Sequence, residues 1–364
     1  MNETTESATG LRCWVEVDTS AIRDNLDAIR ARTSAALMAV VKANAYGHGV
    51  AHVVRALAGR VAMFGVANVR EAREVRAVCG EAPVFILGTA LPCDREAIVS
   101  EGFVPAISSV EEAAAFAKFG PLSIHLAIDT GMGRMGIWKD DALAAARALL
   151  ALPGVTLAGV CSHLSCADDD ATFTTEQLEA FRPLAAAISA LSPSPLVVHV
   201  ENSAAMLAFP GDAGHLVRCG LALYGVSPIA EFQPLFRPAL SWRTRVLLVR
   251  TMGKGRAISY GRTFTTSHAM RIATLGVGYA DGYPRQLSGR GAAVLIRGVC
   301  CPLLGRVTMD QIMVDVSSIE GVEAGDEAVL LGSGITTTAL AEKAGAIPWS
   351  ILTGIGQRVA RIAV

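Results

Sequence analysis

Lys42 closes an apolar run, Ala35-Ala36-Leu37-Met38-Ala39-Val40-Val41, and opens a polar stretch, Ala43-Asn44-Ala45-Tyr46-Gly47-His48-Gly49. The apolar run reads as a buried strand. An amine held where a rigid strand opens into a loop, partly desolvated and facing a pocket, suits imine formation with a carbonyl. A solvated strand end would look the same, so other groups must accompany it. They do: Arg134, His163, Asn202 with Ser203, and Arg218 with Gly220 each stand at or just beyond the end of a separate short apolar run. Ser203 can donate a hydroxyl, and Gly220 and Leu221 can present backbone N–H groups to a dianion. Gly220 alone reads equally well as a plain turn; beside Ser203 it reads as half of a phosphate site.

The elements that must position these groups are legible as periodicity. Apolar runs recur at 36–43, 63–68, 84–88, 103–108, 123–129, 156–163, 196–202 and 215–220. Segments rich in Ala, Leu, Arg and Glu separate them. Strands alternating with helical stretches make βαβ units and a parallel sheet. Eight such units in about 200 residues predict an α/β fold with an N-terminal (β/α)8 TIM barrel rather than an open doubly wound sheet. The first unit lacks the G-x-G-x-x-G loop of a dinucleotide domain. In a barrel the active site gathers at the C-terminal strand ends, with phosphate at the last two. Five of the eight ends carry the groups named above.

The texture changes after Tyr224. Pro228, Pro234 and Pro238 punctuate a stretch without periodicity, the expected domain junction. From Leu240 onward, strand-like runs sit close together with Gly253, Gly289 and Gly298 between them. One helix, Thr337 to Ala344, precedes a last strand, Arg358 to Val364. The expected organisation is a barrel over 17–235, then a mainly β C-terminal domain over 236–364. The early strand Arg12 to Val17, within 1–16 and its boundary, joins the second domain.

With 364 residues, 52% apolar and 18% charged, the chain can bury a large core. The formal charge of −1, with signs interspersed, leaves no basic face for nucleic acid. Met1 to Gly10 is polar and lacks the apolar core of a signal peptide. No run of about 18 apolar residues predicts a membrane span. The eight cysteines are scattered, several in apolar runs, as suits reduced thiols in the cytoplasm. Cys300-Cys301 reads as packing, and no cluster has metal-ligand spacing, so no metal is expected.

The string VVKANAYGHG (40–49) resembles the pyridoxal-phosphate lysine motif of bacterial alanine racemases. The likeness extends over nearly the whole chain through DTGMGRMG (129–136), SHLS (162–165), ENSAA (201–205), RCGLALYG (218–225), SYG (259–261), GVGYADGYPR (276–285) and GRVTMDQ (305–311), in the family's order. The resemblance implies a fold-type III enzyme, a cytoplasmic homodimer that binds pyridoxal 5'-phosphate and makes D-alanine for peptidoglycan. Lys42 would hold the cofactor and act as one base; Tyr260, reaching in from the second subunit, would be the other. Tyr46, Ser203, Gly220 and Leu221, with Asn202 in the same block, would bind the phosphate end. Arg218 would face the pyridine nitrogen, Arg134 the ring hydroxyl, and His163 would link Tyr260 to Arg218. Tyr279 and Met309 would touch the substrate from the partner subunit, and Asp281 and Arg285 would line its entrance.

These roles make physical sense. Racemisation removes a proton from one face of Cα and delivers one to the other, so two bases on opposite sides suit it. Unperturbed lysine and tyrosine titrate at about 10.4 and about 10, so both must be lowered by cationic neighbours or desolvation. An arginine hardly gives up its proton, so a pyridine nitrogen beside it stays unprotonated and the ring is a weaker electron sink. Two positions depart from the family. Ala127 stands where a lysine often orients the arginine, so Arg134 needs another anchor. Gln357 stands where a gate tyrosine is common, which widens the pocket and predicts serine as a further substrate. The alternatives are a serine or broad-specificity racemase, a non-catalytic carrier of the cofactor, and a fold-type III decarboxylase or aldolase. The C-terminal domain with Tyr260 argues against a carrier.

Overall fold

The computed structural model describes residues 8–209 and 214–364. Most of the polar Met1 to Gly10 segment lies outside the described residues. The chain divides into two compact units: one of Ile22–Ala45 and Val53–Arg237, the other of the residues up to Ala21, Tyr46–His52 and Pro238–Val364. The first strand of the chain, β1 (Cys13–Val17), belongs to the second unit.

The first unit is built on β2 (Ala36–Val40), β3 (Met63–Val66), β4 (Val84–Ile86), β5 (Val104–Ile107) and β6 (Leu122–Asp129). It continues through a two-residue β7 (Ile137–Trp138), then β8 (Val155–Cys161), β9 (Val197–His199) and β10 (Leu216–Cys219). The strand order is β10-β2-β3-β4-β5-β6-β8-β9, with β7 beside β6, and the pairings are parallel. A parallel bridge between Asn202 and Arg218, with Arg218 N donating to Glu201 O at 3.0 Å, carries the ladder from β9 round to β10. This is the expected eight-stranded barrel, and each apolar run overlaps one of its strands, with β6 and β8 starting one residue earlier than their runs. Helices start where short polar side chains cap them: Asn68, Ser109 and Asp170 accept from Glu71, Glu112 and Phe173 N–H groups. Met38, Phe85, Ala106, Ala127, Cys161 and Leu216 pack as one buried cluster. Burying each large side chain contributes roughly 1.5–3 kcal/mol.

In the second unit, β11 (Leu240–Met252) is the organiser. Its first half pairs with β1 and with β18 (Glu327–Leu331). A bulge at Val246/Leu248 re-aims its second half onto β14 (Met270–Leu275). Between these lie the short hairpin β12 (Ala257–Ile258) and β13 (Phe264–Thr265), then β15 (Ala293–Ile296), β16 (Val299–Leu304) and β17 (Ile312–Asp315). The circuit β11-β14-β17-β16-β15-β18 returns to β11, and β19 (Ala360–Ala363) adds to β1 in parallel. Trp14, Trp242 and Tyr283 are fully buried in it. A second short helix, Pro348–Thr353, follows Thr337–Ala344. The sequence reading missed it because six residues led by proline carry no helical period. All eight cysteines are unpaired, Cys301 buried and Cys300 exposed.

Candidate active site

Lys42 follows directly on β2. Immediately after it, Ala43, Asn44, Ala45 and Tyr46 all lie in the left-handed region, at φ 52–53°. Non-glycine residues seldom enter that region, and runs of them are rarer, because Cβ crowds the following carbonyl at about 1–2 kcal/mol per residue. The turn is held from outside: Glu71 accepts from Ala43 N and from Ala67 N at 2.8 Å each, while Ala45 N donates to Val41 O at 2.8 Å. Strain kept by surrounding contacts at a functional position is the usual sign of preorganisation. Ala43 is exposed, so Ala43→Gly tests the turn without a cavity. Glycine in an ordinary helix lowers stability by about 1 kcal/mol; here it should raise it by about 0.5–1 kcal/mol. The urea midpoint of the variant should therefore lie above that of the parent, and a lower midpoint would contradict the strain.

The mouth of the barrel is cationic. Burial holds the Lys42 amine below the ordinary lysine value, Arg134 and Arg218 push it the same way, and Glu71 opposes them. His163 is held down to about 3, mainly by burial and then by the charges of Arg218, Arg134 and Lys42. It is neutral at any working pH. Three cations gathered around a neutral imidazole suit an anion. Ala127 is buried in the apolar cluster, and the loop that carries Arg134 is fixed through its backbone. The Asp129 carboxylate accepts from the N–H groups of Gly131, Met132 and Gly133, each at 2.9 Å, and Ser108 Oγ accepts from Gly136 N at 3.0 Å.

Arg218 is 6% exposed and held by five acceptors. Nη1 donates to His199 Nδ1 at 2.9 Å and His199 O at 3.1 Å. Nη2 donates to Ser162 O, Val200 O and His163 Nδ1 at 2.8, 2.9 and 3.1 Å. Both terminal nitrogens are therefore committed, and Nε is the donor without an acceptor among the described residues. The Arg218–His163 half of the expected Tyr260–His163–Arg218 chain is thus in place. Ser203 and Gly220 are adjacent, Gly220 N donating to Ser203 Oγ at 3.0 Å, and Leu221 is buried beside them. Asn202 spends its side-chain oxygen on capping the helix Ser203–Ala208, accepting from Ala205 N.

The second unit presents the other expected residues. Tyr260 is 71% exposed, Met309 52% and Tyr279 42%. These belong to interlocked turns: Tyr279 N and Ala280 N donate to Thr308 O and Met309 O at 3.0 Å, and Ser259 Oγ donates to Arg306 O at 2.6 Å. A Cβ on Gly278 would collide with the carbonyls of Thr308 and Met309. Ser259 adopts φ 62°, ψ −175°, a glycine-like conformation that turns Tyr260 outward.

Asp281, expected at an entrance, is instead 1% exposed. It accepts from Gly278 N at 2.8 Å and pairs with Arg358 at 2.7 Å and Arg12 at 3.0 Å. A carboxylate near a loop reads as a surface group; two arginines converging on it from distant sequence positions, beside the local N–H of Gly278, make it a buried hub. Tyr46 is buried, and burial pushes its phenol up to about 12, so it stays protonated and can donate. Gln357 is exposed. Its segment is clamped by Arg361, which donates to Ile355 O, Gly356 O and Val359 O and, through Nε, to Gly47 O at 3.0 Å.

Sequence reasoning missed Glu71, Asp129, His125 and His199 as contributors. The two histidines had a signal: each interrupts an apolar strand, in SIHLAID and LVVHVEN. Glu71 and Asp129 had none, since an acidic residue in a helix or at a strand end is commonplace.

A small molecule offering an aldehyde to the amine and a phosphate to the β9 and β10 ends would satisfy this site, which makes the protein a cofactor-dependent lysine enzyme on a barrel. The chain matches the family described as "Alanine racemase, N-terminal domain" over residues 17–228 and "Alanine racemase, C-terminal domain" over 239–363. It is 41% identical to an alanine racemase of Symbiobacterium thermophilum, with 96% of each chain covered. It also resembles the crystal structure of the enzyme from D-cycloserine-producing Streptomyces lavendulae, at TM-score 0.91, 38% identity and 98% coverage of each chain. The Bacillus anthracis alanine racemase with bound L-Ala-P aligns at TM-score 0.89 and 33% identity, covering 97% of this chain and 95% of that one. The protein belongs to the alanine racemase family of pyridoxal 5'-phosphate-dependent isomerases. The donor set fits that cofactor: an excess of cations for its phosphate and ring oxygen, and a guanidinium Nε still able to donate. None of the described helices is long and apolar enough to cross a membrane.

Proposed function

We propose that the protein interconverts L- and D-alanine by moving the Cα proton between Lys42 on one face of the substrate and Tyr260 of the partner subunit on the other. The observation that carries this is the desolvated Lys42 amine at a barrel strand end, lowered further by Arg134 and Arg218. A general base works best when its pKa approaches the operating pH. Bound pyridoxal 5'-phosphate supplies the electron sink that makes the Cα proton removable. Tyr46, Asn202, Ser203, Gly220 and Leu221 hold its phosphate end. Arg134 meets the ring hydroxyl and the substrate carboxylate. Arg218, always charged, directs a donor to the ring nitrogen and leaves that nitrogen unprotonated. Neutral His163, its Nδ1 accepting from Arg218, keeps Nε2–H to meet Tyr260 of the partner subunit.

The exposure of Tyr260, Tyr279 and Met309 supports a homodimer in which each copy completes the other's site. The working division is a cofactor-binding barrel over 17–235 and a module of 236–364 with residues 1–16 that supplies the second base. A cytoplasmic place, making D-alanine for peptidoglycan, follows from the same reading. The test is a chiral assay of the purified protein with pyridoxal 5'-phosphate and L-alanine or L-serine. D-alanine should accumulate towards an equal mixture; its absence would sink the proposal.

Gln357 favours serine as a second substrate. Its amide can pair with a hydroxyl where a tyrosine would add an aromatic wall. A pocket that only measures one methylene discriminates by about 1–3 kcal/mol, and a hydrogen-bonding site by more. Gln357→Tyr should therefore lower the serine-to-alanine ratio of kcat/KM. An unchanged ratio removes Gln357 from the specificity of the enzyme.

A further inference from the structure

Behind Arg218, inside the barrel, two histidines stand in line. His199 Nδ1 lies 2.9 Å from Arg218 Nη1, and His199 Nε2 lies 2.8 Å from His125 Nδ1. His199 is 0% exposed and His125 3%. The place for His125 is built into the fold. Phe85 lies against both imidazoles, at centroid distances of 4.8 Å and 5.3 Å. On β8, Gly159 makes room: a Cβ there would fall 2.8 Å from the His125 ring. No step assigned to the reaction uses this pair.

The hydrogen bonds in the line can run in one direction only. A guanidinium has donors and no acceptor, so His199 Nδ1 must accept and carries no proton. Both imidazoles are neutral at neutral pH: burial and the Arg218 charge hold His199 well below its ordinary value, and burial then Arg218 hold His125 near 4. A neutral His199 without a proton on Nδ1 carries it on Nε2, where it needs an acceptor. His125 Nδ1 is that acceptor.

We propose that His125 is a positioning residue that anchors the His199 ring by accepting its Nε2–H and thereby holds the Arg218 guanidinium with Nε turned to the cofactor ring. The proposal rests on the assignment of Arg218 to the ring nitrogen. Without an acceptor at 125, the buried Nε2–H of His199 would stand unsatisfied, and the ring would turn towards another acceptor. Nδ1 would then leave its place against Nη1–H, and the guanidinium would lose the grip that aims Nε.

The test reads the tautomer directly by nitrogen NMR of the holoenzyme carrying 15N-histidine. Wild-type His199 should show a bare Nδ1 and a protonated Nε2; a protonated Nδ1 in the wild type overturns the proposal without any substitution. His125→Phe keeps a ring against Phe85 but offers no acceptor. His125→Asn places Oδ1 where the imidazole has Nδ1, since both atoms are bonded to Cγ. In His125→Phe the His199 Nδ1 resonance should move as it loses the Arg218 hydrogen bond, the cofactor absorption should change, and kcat should fall about tenfold with KM nearly unchanged, as losing one oriented donor implies. His125→Asn should restore the Nδ1 resonance, the absorption and most of kcat. An unmoved His199 Nδ1 resonance in His125→Phe, or an Asn variant as impaired as the Phe variant, overturns the proposal. A resonance that moves while absorption and kcat hold leaves the anchor in place but breaks its link to the ring, overturning the assignment of Arg218 instead.

Discussion

The Lys42→Ala protein should lose essentially all racemisation, by about 10⁴-fold or more, because it loses a general base worth roughly 10²–10⁴ together with the covalent anchor of the cofactor. Borohydride treatment of the parent should fix one cofactor per chain to Lys42, with no fixed adduct on the variant. Peptide mapping that found the adduct on another lysine would overturn the assignment. The Lys42 amine is partly desolvated at a strand end, and the turn that follows it is held by Glu71, which is what a fixed and reactive amine needs. Folding should survive the change, since Lys42 is half-buried and lies outside the apolar cluster of the barrel.

Mixing two inactive proteins should restore activity. If Tyr260 acts in the partner's site, a dimer of one Lys42→Ala chain and one Tyr260→Phe chain holds one intact site and one doubly defective site. Purified mixed dimers should then reach about half of wild-type activity, and a statistical equal mixture about a quarter. Tyr260 is 71% exposed on a turn strained at Ser259, so Tyr260→Phe should leave the fold unchanged. Proven subunit exchange without recovered activity would show that each chain builds its site alone. The experiment therefore separates the role of Tyr260 from its place in the assembly.

The barrel was legible because its signals are local. Each strand is a short apolar run and several helices start at a polar cap, as at Asn68, Ser109 and Asp170, and both patterns survive in one sequence. Lys42, Arg134, His163, Ser203 and Arg218 were legible because the barrel rule puts strand ends at the active site. Other contributions were invisible for a physical reason: they depend on contacts between residues far apart along the chain. Asp281 reads as a loop carboxylate until Arg12 and Arg358 converge on it. Arg361 reads as part of a last strand until it reaches Gly47, 314 positions away. The segment Tyr46–His52 is continuous with the Lys42 motif in sequence but belongs to the compact unit of the C-terminal strands.

By itself, the sequence determined which groups the protein has to work with, since residue types and their order along alternating strands and helices are local properties. Tertiary structure alone decided their state. Burial and neighbouring charge lower the Lys42 amine and keep His163 neutral. The left-handed turn after Lys42 exists because Glu71 holds it, against the preference of alanine for right-handed backbone. The direction of the His125–His199–Arg218 line follows from the guanidinium at its end. Ionisation, strain and tautomer depend on what surrounds an atom, and that is settled only when distant segments pack.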